Sequence, residues 1–338
     1  MTAQIAINGF GRIGRAAFKI ALENDNCEVV AINDLTDIKT LAHLLKYDTA
    51  YGIYAKEVSY ESDFLVVDGK KYKVTAEKDP AQLPWKELNV DVVLECTGRF
   101  VKNGASKAHI KAGARKVVVS APTKGEGDIQ TFLRGVNETQ YQGQEVISNA
   151  SCTTNCISPV MAIMCENFGV SKSIMTTIHA VTSTQNVVDG PPPGGGSDLR
   201  RARASCFNMI PTTTGAAIAT TKVIPELENK FDGMAVRVPV LTGSLIDITV
   251  LVEKDTTVEE INDTFKKAAK SDLYKGVLQV TEEPLVSSDI VGNPHSAIVD
   301  LEMTKVVGGN LVKILAWYDN EWGYSNRLVE LALGISYF

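Results

Sequence analysis

Short apolar runs alternate with amphipathic stretches through the first half of the chain. Residues 3–8, 28–33, 91–95, 116–120 and 145–149 are strand-length and rich in valine and isoleucine. A helical spacing follows the first run through about residue 22, and another covers 103–112 with Gly113 as its stop. Strands alternating with helices predict a doubly wound parallel sheet. Past residue 150 the pattern changes. An apolar helix-length run at 157–167 gives way to strand-like runs at 173–179, 247–253, 297–303 and 312–318. Helices are fewer: one opening at Pro211-Thr212-Thr213-Thr214-Gly215, one at 258–270 with a capping box of Thr257 and Glu260, and one at 323–333. The predicted fold is α/β: a doubly wound parallel-sheet domain, then an α+β domain with a mixed, largely antiparallel sheet. No internal repeat or long linker interrupts it. The boundary should fall at 149–151, which would put the next residues in a cleft between domains.

The first strand runs into Gly9-Phe10-Gly11-Arg12-Ile13-Gly14, and the second ends at Asp34, 20 residues past Gly14. Each part has a physical use in holding a dinucleotide. Gly9 permits the tight turn, Gly11 lets backbone approach a pyrophosphate, and Gly14 lets the helix pack close on the strand. The helix N-terminus faces the phosphates. Asp34 accepts from a ribose 2′-hydroxyl and repels a 2′-phosphate, so NAD is favoured over NADP. Thr97-Gly98 and Ser120-Ala121-Pro122 stand at later strand ends. They are candidates to line the cofactor groove, with turn chemistry as the alternative.

A second focus is Ala150-Ser151-Cys152-Thr153-Thr154-Asn155-Cys156, between a strand-like and a helix-like run. Backbone N–H groups at a helix start favour anions, a thiolate included. Ser151 and Thr153 flank the sulfur with hydroxyl donors. Locally, a nucleophile and a buried structural cysteine fit equally well. A nucleophile needs a base. Of the four histidines, His43 and His109 fall in predicted helices of the first domain, where a structural or surface role is expected. His295 follows a proline in a loop. His179 stands at a strand end among threonines and is the best partner for Cys152. Arg201 and Arg237, with Thr182, Thr214 and the backbone of Gly215, are candidates to bind an anion. Arg237 lies in a valine-rich strand, where a buried guanidinium calls for an anionic partner.

Composition narrows the class. The 338 residues carry a net charge of −6, which does not support a nucleic-acid or membrane-surface binder. No apolar run spans a bilayer. The first strand begins too early to leave room for a signal peptide. Six cysteines then read as reduced thiols in the cytoplasm. Cys152 and Cys156 lack a second pair at zinc spacing, so no metal is expected, and Cys156 is read as packing.

These runs resemble the phosphorylating glyceraldehyde-3-phosphate dehydrogenase family over nearly the whole chain. The matching stretches are Asn8 with the Gly9-to-Gly14 turn, Ala150 to Asn155, Thr177 to Thr182, Pro211 to Ala216, and Asp319-Asn320-Glu321-Trp322-Gly323-Tyr324. The resemblance implies Cys152 as nucleophile and His179 as base. It implies NAD contacts at Arg12, Ile13, Asp34, Lys78, Ser120 and Asn320. It implies phosphate contacts at Ser151, Thr153, Thr182, Arg201, Thr214, Gly215 and Arg237. It also implies an NAD-binding domain of residues 1–150 and 319–338, a catalytic domain of 151–318, and a cytoplasmic homotetramer. The implied reaction converts glyceraldehyde 3-phosphate, inorganic phosphate and NAD to 1,3-bisphosphoglycerate and NADH through a Cys152 thioester, in glycolysis or gluconeogenesis. The alternative within the family is erythrose-4-phosphate dehydrogenase. The sequence departs from the family pattern at the long loop Pro191-Pro192-Pro193-Gly194-Gly195-Gly196, at Val240-Leu241-Thr242-Gly243, and at Thr184, where many bacterial members have aspartate.

Overall fold

A computed structural model describes residues 2–127, 129–193 and 196–337. Gly194 and Gly195 of the proline–glycine loop lie outside the described residues. The chain divides into two compact units. One comprises Met1–Phe132, Glu138–Ser151 and Ser325–Phe338; the other comprises Leu133–Asn137 and Cys152–Tyr324.

The first unit is built on an eight-stranded sheet. Its order is Val146–Ser148, Lys116–Val119, Val92–Glu95, Ala3–Asn8, Cys27–Asn33, Lys70–Thr75, Phe64–Val67, Val58–Glu61. The first six strands are parallel, and the last two add antiparallel. Successive residues of a strand face opposite sides, and both sides are buried here. Ile5 and Ile7 join a core with Phe10, Phe18 and Leu41, together with Leu328, Val329 and Ile335 of the helix Trp322–Ser336. Ala6 and Ala31 join a second core with Trp85, Val93 and Val117. The doubly wound prediction therefore holds. Ala3–Asn8 lies between the second strand and a much later one, so the chain order reverses there. Ligands bind beyond the strand ends at such a switch point. Register brings Asn8, Asn33, Glu95, Val119 and Ser148 level.

The second unit carries a seven-stranded mixed sheet. Its order is Ile210–Thr213, Phe231–Arg237, Val170–His179, Ser244–Val252, Leu311–Tyr318, Ala297–Val307, Leu278–Thr281. Four of its six ladders are antiparallel, as the sequence pattern predicts. The helix Cys152–Phe168 is apolar on most sides and buries Ile157, Val160, Met161 and Met164. It packs against strands of this sheet and against the helices Ala216–Val223 and Val258–Ala269. The last of these opens with the expected capping box of Thr257 and Glu260.

Two local readings are corrected. Residues 103–112 form only a 3₁₀ turn, Ala105–Lys107, and one helical turn, Ala108–Lys111. Asn103 and Gly104 take φ of 50° and 68°, which no right-handed helix can include. Pro211 opens no helix: Ile210–Thr213 is an edge strand, and Gly215 caps the helix that starts at Ala216.

Candidate active site

In the first unit the glycine turn is shaped by close contact. Gly9 has φ of 94°, and a Cβ there would sit 2.7 Å from the Thr97 nitrogen. A Cβ on Gly14 would sit 2.0 Å from the Gly9 oxygen. Around Gly11 there is open space, and no side chain caps the helix Arg12–Ala21 that follows it. Asp34 lies across the turn. Its carboxylate accepts the Phe10 N–H at 2.7 Å and the Thr36 N–H at 2.9 Å. An uncapped helix start, an open glycine face and an anchored carboxylate fit a dinucleotide with a free ribose diol.

The neighbouring candidates are placed unevenly. The Arg12 guanidinium pairs with Asp48 at 2.6 Å and lies 5.6 Å from the Tyr51 ring centroid. This arginine and the hydrogen bonds around it hold the Asp48 carboxyl below the usual range, against the opposing effect of burial. Thr97 turns inward, its N–H and hydroxyl both donating to Glu95 Oε1. The Ser120 N–H donates to the Glu95 carbonyl at 3.0 Å, and Lys78 is exposed past the strand Lys70–Thr75.

Below the turn runs a buried polar chain that sequence reasoning missed. Asn33 Nδ2 donates to Asn8 Oδ1 at 2.7 Å, and Asn8 Nδ2 donates to Glu95 Oε2 at 2.5 Å. Trp85 Nε1 donates to His109 Nδ1 at 2.9 Å. An indole nitrogen is a donor only, so His109 must carry its proton on Nε2 and give it to Glu95, 2.9 Å away. His109 is therefore structural. The available signal was polar residues closing apolar strands.

In the second unit Cys152 opens its helix, two residues after Ala150. Ala150 is fully buried with φ of 50°, a left-handed conformation unusual for alanine. Cys152 Sγ lies 3.4 Å from His179 Nε2. His179 Nδ1 is 2.7 Å from the Ala180 carbonyl oxygen, which also accepts from Arg237 Nη1 at 3.1 Å. The Ala180 carbonyl only accepts and the Arg237 guanidinium, 2.8 Å from Nδ1, only donates, so Nδ1 cannot serve both. With its proton on Nδ1 and given to Ala180, the imidazole turns the Nε2 lone pair to the sulfur. Arg237 Nη1 stands 2.8 Å from Nδ1 because His179 and Arg237 are paired in the parallel ladder.

Burial dominates both titrations. It pushes the Cys152 thiol up, against the opposing pull of Arg237 and of Thr153. His179 is pushed down to about 3, by burial first and then by Arg237. Both shifts favour the neutral pair, with the proton on sulfur. A helix start alone favours a thiolate, but desolvation outweighs it here. Below the pair, the Tyr318 hydroxyl bridges Thr153 Oγ1 at 3.0 Å and Thr177 Oγ1 at 2.8 Å. Its ring stands edge-on to His179.

Of the remaining anion candidates, Arg201 stands close enough for its field to reach His179. Arg201 Nε donates to Thr212 Oγ1 at 3.0 Å and Nη2 to the Thr213 carbonyl at 3.3 Å. The fields of Arg201 and Arg237 both lower His179. Thr214 Oγ1 accepts the Ala216 N–H at 3.2 Å beside Gly215, whose Cβ direction is open. Thr182 Oγ1 is 2.8 Å from Thr184 Oγ1, and Ser151 is half-buried. Asn320 is buried against Thr242 and Ser244. Among the described residues no group of three or more His, Cys, Asp or Glu side chains is placed to hold a metal.

Comparison with known proteins decides the family. A profile described as glyceraldehyde 3-phosphate dehydrogenase, NAD binding domain, matches residues 3–103. The corresponding C-terminal domain profile matches residues 151–320. The chain is 54% identical over 336 residues to glyceraldehyde-3-phosphate dehydrogenase 2 of Streptomyces avermitilis, covering 98% of each chain. It is 54% identical over 331 residues to glyceraldehyde-3-phosphate dehydrogenase 1 of Bacillus cereus, covering 97% of each, and 50% identical over 338 residues to the Geobacillus stearothermophilus enzyme, covering 99% of each. The chain belongs to the glyceraldehyde-3-phosphate dehydrogenase family. As a member it is an NAD-dependent dehydrogenase with a Rossmann-type NAD-binding domain.

Proposed function

We propose that the protein oxidises glyceraldehyde 3-phosphate with NAD and inorganic phosphate to 1,3-bisphosphoglycerate and NADH, serving glycolysis or gluconeogenesis in the cytoplasm. The observation that carries this reading is Cys152 Sγ at 3.4 Å from His179 Nε2. As the sulfur adds to the aldehyde carbon, its proton passes to Nε2 and on to the new oxygen, giving a thiohemiacetal. NAD, when bound, supplies the hydride acceptor. His179 then takes the hydroxyl proton as the carbon is oxidised, and a thioester remains on Cys152. A phosphate oxygen attacks that thioester, the carbon–sulfur bond breaks, and the leaving sulfur regains the proton from His179.

Two anions must be held, the substrate's phosphate and the attacking one. Ser151, Thr153, Thr182, Arg201, Thr214, Gly215 and Arg237 are the residues assigned to them, by charge and by hydroxyl or backbone donors. Gly9, Gly11, Arg12, Ile13, Gly14, Asp34, Lys78, Thr97, Ser120 and Asn320 are assigned to NAD. With the Arg12 guanidinium engaged by Asp48, its contribution falls to its backbone at the helix start. We assign residues 1–150 and 319–338 to NAD binding and 151–318 to catalysis. The second unit exposes Val187, Val188, Leu199, Phe207 and Met209, an apolar set suited to packing against further copies in a homotetramer.

The test is NADH formation from glyceraldehyde 3-phosphate with and without inorganic phosphate. The expected result is phosphate-dependent turnover with NAD preferred to NADP. Release of free acid without phosphate as the main product would refute the thioester route. Faster turnover of erythrose 4-phosphate would move the substrate assignment to the sibling enzyme.

A further inference from the structure

Val240-Leu241-Thr242-Gly243 departs from the family pattern, and no step above uses it or the serine that follows. Gly243 has φ of 87°, and a Cβ there would sit 2.3 Å from the Ser287 oxygen. Only glycine lets the chain pass between Thr242 and Ser244 in this form. Thr242 Oγ1 donates to Asp319 Oδ1 at 3.0 Å. The same carboxylate accepts the N–H groups of Glu321 and Trp322, each at 2.9 Å, and that of Gly292 at 2.8 Å. Asp319 thereby fixes the turn that bears Asn320.

Ser244 is 1% exposed. Its Oγ accepts the Ala180 N–H at 3.1 Å and lies 2.8 Å from Asn320 Oδ1. A serine hydroxyl has one proton to give. Asn320 Oδ1 takes it, so the carboxamide is held with its oxygen inward. Asn320 is 4% exposed, and among the described residues its Nδ2 makes no hydrogen bond to protein. The amide donor of a buried side chain thus keeps an open, solvent-reachable face, tied through one serine to the residue after the base.

We infer that Ser244 is a positioning residue for the cofactor: it holds the Asn320 carboxamide so that Nδ2, not Oδ1, is offered to the carboxamide oxygen of the nicotinamide. The inference rests on the reading that Asn320 holds NAD. Through Ala180 the same serine keeps this donor in register with His179.

Calorimetric binding of NAD and of ADP-ribose, which lacks the nicotinamide, separates orientation from folding. The measurement compares the full-length wild type with Ser244→Ala, Asn320→Ala and the double variant. Ser244→Ala should weaken NAD about five- to tenfold, as one lost buried hydrogen bond does, and leave ADP-ribose within about twofold. Asn320→Ala should lower the NAD to ADP-ribose affinity ratio, and adding Ser244→Ala should lower it no further. Equal weakening of both ligands by Ser244→Ala would reduce the serine to a structural part and overturn the inference. So would a further fall in the ratio on the Asn320→Ala background, or an Asn320→Ala ratio equal to wild type. None of these results touches the functional reading, which fails separately if the wild type makes no NADH from its substrate.

Discussion

The protonation of the Cys152–His179 pair has a consequence for stability that can be measured without substrate. His179 is 3% exposed and pushed down to about 3, by burial first and Arg237 second, from 6.5 in an unfolded chain. Its folded pKa is the lower one. Between those values the unfolded chain binds the extra proton, so stability is intact above pH 6.5 and is lost as pH falls toward 3. Each pH unit inside that window costs about 1.4 kcal/mol. Moving from about pH 7.5 to about pH 5 crosses roughly 1.5 units of it, a loss of about 2 kcal/mol from this one group. His179→Gln cannot titrate and should lose about 2 kcal/mol less over the same interval. Urea unfolding of both proteins at both pH values measures the difference, because other groups contribute alike and cancel. Equal pH slopes would refute the reasoning. A wild type that gains on the variant as pH falls would reverse it, since that requires an imidazolium beside an ionised sulfur.

Three further outcomes follow from the geometry. Gly14→Ala forces a methyl to within 2.0 Å of the Gly9 oxygen, so the turn must open. NAD affinity by titration should fall by more than about tenfold, and a variant within about twofold of wild type would contradict the close-packing account. Tyr318→Phe removes the hydroxyl that bridges Thr153 and Thr177. Two buried hydrogen bonds at about 1 kcal/mol each predict about 2 kcal/mol lost in urea unfolding, and a loss under about 0.5 would argue against the bridge. Saturating inorganic phosphate should raise the His179 pKa followed by imidazole NMR, and an unchanged value would mean that no anion reaches Arg237.

How much of this was legible depended on how local the signal was. The turn from Gly9 to Gly14 and Asp34 could be read directly, because glycine placement and strand ends are set within a few dozen residues. The meeting of Cys152 and His179 was legible from residue type and strand-end position. Their neighbours were not. Arg237 meets His179 only because residues 58 apart pair in a parallel ladder, and no local pattern fixes that register. The Trp85–His109–Glu95–Asn8 chain likewise joins separate strands and a short helix. The strand Val58–Glu61 escaped notice because it is mostly exposed and lacks a buried face. Ionisation was misleading at the sequence level, since a helix start is visible there and the depth of burial is not.

Arg237 explains why a neutral resting pair can still be a competent one. Its guanidinium acts on both members, favouring the thiolate and opposing the imidazolium. Moving the proton from sulfur to Nε2 therefore gains on one side and loses on the other, and the loss is the nearer interaction, at 2.8 Å from Nδ1. An anion that binds Arg237 cancels much of its field. The imidazole then becomes the stronger base when an anion is bound there, and stays weak when none is. On this argument the arginine couples anion binding to base strength. The half-buried sulfur would then be held as a thiol until there is something for it to attack.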